Sequence, residues 1–203
     1  MFPNRSLALS LFAILIGLQG HRGAAAESTA EAGFVRLFDG KTLDGWHLMN
    51  GAAFVAEDGV IKLNGGRGWL RSDKEYSDFV LRLELRFMKP RQDGGVFLRA
   101  SEEGNGWPSR RYEVQSENSP RMAKVFGANY DLNVELAQKV LKPIEEWNEY
   151  EIKLVGANLE VRLNGELVTT SDGLSKYTRG YIGLQGEGGF HEYRNIRIKD
   201  LSK

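Results

Sequence analysis

An all-β fold, a sandwich or jelly roll of antiparallel strands, is the class this sequence predicts, and three observations predict it. Apolar and polar residues alternate along several short stretches, the period of a half-buried strand. Asp-Gly and Asn-Gly pairs stand between such stretches, where tight hairpin turns want positive φ at both central positions. Glycine accounts for 24 of the 203 residues, well above the usual ~7%, which suits a chain that turns often.

Composition narrows the function classes. Lys and Arg number 27 and balance 27 Asp and Glu, so neither nucleic acid nor an anionic membrane surface is expected as the main partner. Apolar residues at 41% and charged residues at 27% are those of a globular chain. The sequence has no cysteine, which excludes a disulfide framework, a thiolate nucleophile, a Cys-ligated zinc and an acylated lipoprotein anchor.

The first 26 residues read as an export signal. Arg5 precedes a run from Leu7 to Leu18 that is almost wholly apolar, too short for the ~20 residues a bilayer-spanning helix needs. Ala24, Ala25 and Ala26 supply the small residues of a cleavage site, and the cut is placed after Ala26. Cleavage would remove Arg5 and Arg22 and leave a net charge of −2. Residues 27–32 are small and polar, a loose leader; residues 33–203 are expected to form one domain, exported to the periplasm or the medium.

Within that domain the strands are justified one by one. Phe54-Val55-Ala56 and Val60 to Leu63 flank Asp58-Gly59 as a hairpin. From Phe79 to Phe87, Phe79, Leu81, Leu83, Leu85 and Phe87 share one face, with Val80, Arg82, Glu84 and Arg86 on the other. Strands are also expected at Gly95–Arg99, Arg111–Gln115, Tyr150–Leu154, Leu159–Leu163, Tyr181–Gln185 and His191–Ile198. Asn164-Gly165 turns the chain into Glu166-Leu167-Val168. Leu132–Lys142, with Pro143 beyond it, fits either a short helix or an irregular surface loop.

No nucleophile elbow, zinc-protease helix or phosphate-binding loop is present. Alternation places Glu113 and Gln115 side by side, opposite Tyr112 and Val114, and places Arg99 with Phe97, opposite Leu98. Neighbouring strands would then aim a cation, a carboxylate and an amide into one groove, groups that suit sugar hydroxyls. Spacing alone favours the plainer reading, solvated strand faces. Trp107, in the glycine-bracketed loop Gly104–Pro108, is the tryptophan best placed for ligand contact, whereas Trp46 and Trp147 suit the end of a core. His47 and His191 belong to no metal-spacing motif, but His191 beside Glu192 could act as a base or ligand.

Several runs together carry a resemblance. They are Leu37-Phe38-Asp39-Gly40-Lys41-Thr42-Leu43-Asp44-Gly45-Trp46, Gly95-Val96-Phe97-Leu98-Arg99, Tyr112-Glu113-Val114-Gln115, Glu146-Trp147-Asn148-Glu149-Tyr150-Glu151-Ile152, Gly180-Tyr181-Ile182-Gly183-Leu184-Gln185 and Glu192-Tyr193-Arg194-Asn195-Ile196. In this order the sequence resembles the 3-keto-disaccharide hydrolase domain family over nearly all of 33–201. The resemblance implies a concanavalin A-like jelly roll and secreted activity on sugars oxidised at the 3-hydroxyl.

It also raises the groove reading: Glu113 as base, Arg99 as oxyanion partner, and His191 as a second acid or base. Gln115, Gln185, Trp107, Glu84 and Glu192 would contact substrate. No cofactor is evident and no compact metal ligand set appears, although a divalent cation could take the place of Arg99. The family's usual Asp-His-Gly after Gln185 is here Gly186-Glu187-Gly188, so Glu187 and His191 could substitute. A non-catalytic carbohydrate-binding module and a laminin-G-like interaction domain are the rival readings.

Overall fold

The computed structural model describes residues 32–187 and 189–202; the expected signal segment and residues 27–31 of the leader lie outside them. In chain order the elements are β1 (Val35–Arg36), β2 (Trp46–Met49), β3 (Ala52–Glu57), β4 (Val60–Tyr76), β5 (Phe79–Phe87), β6 (Asp93–Ala100), β7 (Tyr112–Glu117), β8 (Val125–Phe126) and β9 (Asp131–Leu132). They continue with α1 (Val134–Val140), β10 (Asn148–Val155), β11 (Asn158–Leu163), β12 (Glu166–Ser171), β13 (Gly180–Glu187) and β14 (His191–Asp200). Among the described residues no helix is long and apolar enough to cross a membrane.

The expected strands form, and both predicted turns have the required backbone. Asp58 and Gly59 have φ of 52° and 81°, Asn164 and Gly165 of 50° and 89°. Among the described residues the one helix is α1, seven residues long; Asn133 caps it by accepting from the Leu136 N–H at 3.0 Å. It is shorter than the stretch ending at Pro143, because Leu141 already has extended backbone.

All pairing is antiparallel, and the path runs β8-β7-β6-β13-β4-β14-β5-β10-β11-β12-β9, with β1 on β14 and β2 and β3 on β4. One long strand joins two layers. The first part of β4 pairs with β3 and β14, while from Arg67 onward it pairs with β13 and from Trp69 with β2. The bend falls at Gly65-Gly66-Arg67-Gly68. Gly66 has φ of 79°, and a Cβ there would strike the Gly51 carbonyl, so the corner needs glycine. The sandwich thus has one layer of β2, β4, β13, β6, β7 and β8 and another built on β14, β5, β10, β11 and β12.

The core lies between the layers. Phe79, Leu81, Leu83, Leu85 and Phe87 of β5 and Tyr150, Ile152 and Leu154 of β10 are fully buried. They share one cluster with Leu70, Val96, Leu98, Val114, Ile182 and Leu184 of the facing layer. Each such side chain contributes roughly 1.5–3 kcal/mol on burial, which is how a cysteine-free chain holds this fold. Trp46 plugs the core as expected, its Nε1 donating to the Leu37 carbonyl at 2.5 Å.

Trp147 does not. It lies on the outer surface of the second layer, between the guanidinium of Arg86 at 4.6 Å and that of Arg194 at 4.0 Å. Those arginines pair with Glu192 and Glu84. A ring flanked by two cations is stabilised by its π face rather than by core packing.

Candidate functional site

The outward face of the first layer carries the polar chemistry. Along β7 the inward residues are Tyr112, Val114 and Ser116, which leaves Glu113, Gln115 and Glu117 outward with Arg111 just before them. Along β6, Asp93, Gly95 and Phe97 face outward; along β13, Gly183, Gln185 and Glu187 do; along β4, Arg67, Trp69 and Arg71 do. The register sets these side chains in rows. Phe97 pairs with Glu113 on one side and Gly183 on the other, Gly95 pairs with Gln115, and Gln185 pairs with Trp69.

One half of this face is aromatic. Trp69, Phe97 and Ala100 form a small buried cluster backed by Met49, Trp107 and Tyr181. Gly183 makes room for it, since a Cβ there would lie 2.5 Å from the Trp69 ring. Trp107 meets Phe97 edge-on at 6.1 Å between centroids, and Arg67 stands 5.5 Å over the Trp107 ring. The Gly104–Pro108 loop therefore does bring Trp107 to the face that holds Glu113.

The other half is polar and tightly ordered. Arg111 lies over Phe97 at 5.0 Å; its Nε donates to Glu113 Oε2 at 3.2 Å and its Nη1 to the Pro108 carbonyl at 2.9 Å. Glu113 is only 4% exposed. Burial raises its carboxyl above the ordinary range, Arg111 pulls in the opposite direction, and Asp93 and Glu187 add to the rise. Gln115 Nε2 donates to Asp93 Oδ1 and, at 3.4 Å, to Glu117 Oε2, while Gln185 Nε2 donates to Glu187 Oε2 at 3.1 Å. Glu117 is in turn paired with Arg121 at 3.1 Å.

Glu113, Gln115, Gln185 and Trp107 are thus brought together, and Glu187 joins them. Arg99 is not. Between Phe97 and Ala100, β6 has two residues where β13 has one, a bulge that leaves Arg99 at φ 49°. The extra residue resets the alternation: Ala100 returns to the outer face, and Arg99 turns into the end of the sandwich. There its Nε donates to the Ser77 carbonyl at 2.8 Å, its Nη1 to those of Leu174 and Tyr177 at 3.1 and 3.0 Å, and its Nη2 to Asp78 at 3.1 Å. A buried guanidinium so committed is a structural tie.

His191 is also elsewhere. It points inward from β14 beside Phe87, with ring centroids 5.3 Å apart, and is fully buried. Neither ring nitrogen has a hydrogen-bond partner among the described residues. Burial alone lowers its pKa to about 4, so the ring is neutral near pH 7 and separated from the outer face by β6. Glu84 and Glu192 sit on the outer face of the other layer. Glu84 accepts from Arg194 and Asn195 at 2.6 Å each, and Glu192 from Arg86 at 2.6 Å. Odd-even alternation in β5 and β14 sends them away from Glu113, and neither reaches the face that holds it.

Arg111, Asp93 and Phe97 are the site residues that sequence reasoning passed over. Arg111 carried a signal, since it is two residues before Glu113 on a strand already expected, whereas Asp93 lies two residues before the expected start of its strand at Gly95. A separate shallow hollow of about 410 Å³ between β9, β11 and β12, lined by Tyr130, Asp131, Glu160 and Thr170 among others, holds none of these groups. Among the described residues no cluster of three or more His, Asp or Glu side chains is arranged to hold a metal ion.

Two antiparallel layers, with a polar and aromatic outer face over an aliphatic core, define a jelly-roll fold. The fold is shared with a carbohydrate binding module of Bacillus subtilis, at a TM-score of 0.54 and 15% identity over 77% of this chain and 96% of that one. More similar is a protein of Parabacteroides distasonis described as a glycosyl hydrolase, with a TM-score of 0.71 and 23% identity over 84% of this chain and 94% of that one.

Residues 33–199 match the 3-keto-alpha-glucoside-1,2-lyase-like domain, and the chain belongs to that family. A relative from Bacteroides thetaiotaomicron, named 3-keto-disaccharide hydrolase, is 27% identical over a 230-residue alignment that covers 83% of this chain and 79% of the relative.

Proposed function

We propose that this protein is an exported hydrolase that cleaves the glycosidic bond of 3-keto-disaccharides or 3-keto-glucosides by base-assisted elimination followed by hydration. The observation that carries this reading is Glu113. It is a buried carboxylate with Oε2 held by Arg111 and Oε1 turned toward Gly95, at the border between an aromatic wall and a polar floor. Family membership and the name of the Bacteroides thetaiotaomicron relative support the substrate class.

The ketone acidifies the hydrogen on the adjacent carbon. Glu113 Oε1 takes that proton, and the electron pair moves onto the carbonyl oxygen as an enolate. As the enolate collapses, the glycosidic C–O bond on the next carbon breaks and the leaving oxygen is protonated. Water then adds across the double bond, giving the free 3-keto sugar. Arg111 takes the role first assigned to Arg99, facing the enolate oxygen with its guanidinium. A positioned base contributes typically ~10²–10⁴ in rate and an oxyanion donor ~10²–10³. Burial suits Glu113 to this work, because a raised pKa makes a carboxylate a better base. Trp107, half-buried, offers a face for the C–H side of a sugar ring, and Gln115 and Gln185 lie beside Glu113 on the same outer face.

Export follows from the Leu7–Leu18 run and the alanines at 24–26. The test is incubation of the protein lacking residues 1–26 with 3-keto-trehalose and a 3-keto-glucoside, following released sugar by mass spectrometry. Turnover that falls at least a hundredfold in Glu113→Gln is expected. Binding without turnover, unchanged by Glu113→Gln, would instead identify a non-catalytic carbohydrate-binding module.

A further inference from the structure

Phe126 is 42% exposed, and among the described residues no cation and no second ring lies over it. Other surface rings are covered. Arg67 stands over Trp107, Arg86 and Arg194 flank Trp147, and the Lys89 ammonium lies 3.6 Å over Phe190. Phe126 keeps an open face.

Its place in the sheet gives that face a use. Val114 and Val125 pair with both side chains buried, so the next pair, Glu113 and Phe126, turns both to the outer face. The row across the layer therefore runs Phe97, Glu113, Phe126, and β8 ends the layer. With strands ~4.8 Å apart, Phe97 and Phe126 stand ~10 Å from each other, one on each side of the carboxylate. Trp107 packs against Phe97. Two aromatic groups so placed match two linked pyranose rings with the bond between them over Glu113.

The ring is also held in place. Before it, the Ala123 N–H donates to the Gln115 carbonyl at 3.0 Å, the Gln115 N–H to the Lys124 carbonyl at 2.8 Å, and Thr169 Oγ1 to the Ala123 carbonyl at 2.8 Å. After it, Gly127 has φ of 94° and lies so near β7 that a Cβ would stand 3.0 Å from the Arg111 carbonyl. Edge strands are ordinarily guarded by charge. A large apolar ring fixed on one, beside a buried acid, fits a stacking platform, and strands position such groups more precisely than loops.

We propose that Phe126 is a specificity-determining residue: its open face stacks on the leaving sugar, while the ring that carries the ketone lies against Trp107. The site thereby selects glycosides whose leaving group is itself a sugar ring over those with a small alkyl group. This inference rests on the proposed hydrolase reading and deepens it by naming the leaving group.

The experiment compares kcat/KM for 3-keto-trehalose and methyl 3-keto-glucoside in wild type, Phe126→Leu and Phe126→Trp, with folding checked by circular dichroism. Leucine keeps an apolar side chain without a flat face; tryptophan restores the face. Wild type is expected to prefer the disaccharide at least about tenfold. Phe126→Leu should bring that ratio close to one through a higher KM for the disaccharide, with the methyl glycoside unaffected, and Phe126→Trp should keep the preference. Equal use of both substrates by wild type, the preference preserved in Phe126→Leu, or an equal fall on both substrates in that variant overturns the assignment and leaves the hydrolase reading standing. No turnover of either substrate by wild type removes both.

Discussion

His191 gives a direct thermodynamic test of the fold. Its ring is fully buried against Phe87 and Tyr193, both nitrogens lack partners among the described residues, and burial lowers its pKa from the ordinary 6.5 to about 4. The unfolded chain therefore binds a proton on this side chain between about pH 6.5 and pH 4 while the folded protein does not. The stability that the neutral ring allows is complete above pH 6.5 and is lost as pH falls through about 4. At 1.36 kcal/mol per unit, a shift of this size is worth about 3 kcal/mol, or roughly 6–12 °C in Tm for a domain of this length.

The assay is urea unfolding of wild type and His191→Phe at pH 7 and pH 4. Other titrating groups are common to both proteins, so the wild type should lose about 3 kcal/mol more than the variant over that interval. An NMR titration of the His191 ring should show its midpoint near 4. A wild-type-minus-variant difference that does not change with pH, or a ring that titrates in the ordinary histidine range, would refute the buried, unpartnered assignment. His191→Phe should also retain turnover, since the ring lies behind β6. Loss of turnover in a folded variant would return His191 to the chemistry.

Four further outcomes follow from named contacts. Arg99→Met strands Asp78 and three carbonyls and should destabilise by about 3–5 kcal/mol, read by denaturant unfolding, with KM unchanged in whatever remains folded. Glu113→Gln should be more stable than wild type at pH 7, because a carboxyl whose pKa is raised by burial is favoured protonated in the fold; the gain should vanish as pH falls below the carboxylate range. Arg111→Met removes the partner that holds the Glu113 pKa down, so the acid limb of the pH–kcat/KM profile should move to higher pH as kcat falls. Glu84→Gln, on the outer face of the other layer, should leave kcat/KM unaltered and change stability by about 1 kcal/mol or less in an unfolding titration.

What the sequence alone determined is what depends on neighbours in the chain. Period-two alternation assigned the inward face of β5, the Asp-Gly and Asn-Gly pairs assigned two hairpins, and alternation from Tyr112 put Glu113 and Gln115 on one side. Each of these is a local steric or solvation preference, readable within a few residues.

The tertiary structure decided which side of which layer a strand face becomes. Alternation says that Glu84 and Glu113 each leave the core, but only the folding of the chain at Gly65–Gly68 puts them on opposite outer surfaces. It also decided where alternation is broken. The bulge at Arg99 adds one residue against β13 and inverts the side on which the guanidinium emerges, and nothing in Phe97-Leu98-Arg99-Ala100 announces it. Parity is carried along a strand by covalent geometry and reset by pairing with another strand. The outward placement of Glu113 was therefore legible in the sequence, and that Arg111 rather than Arg99 stands beside it was fixed only by the partner strand.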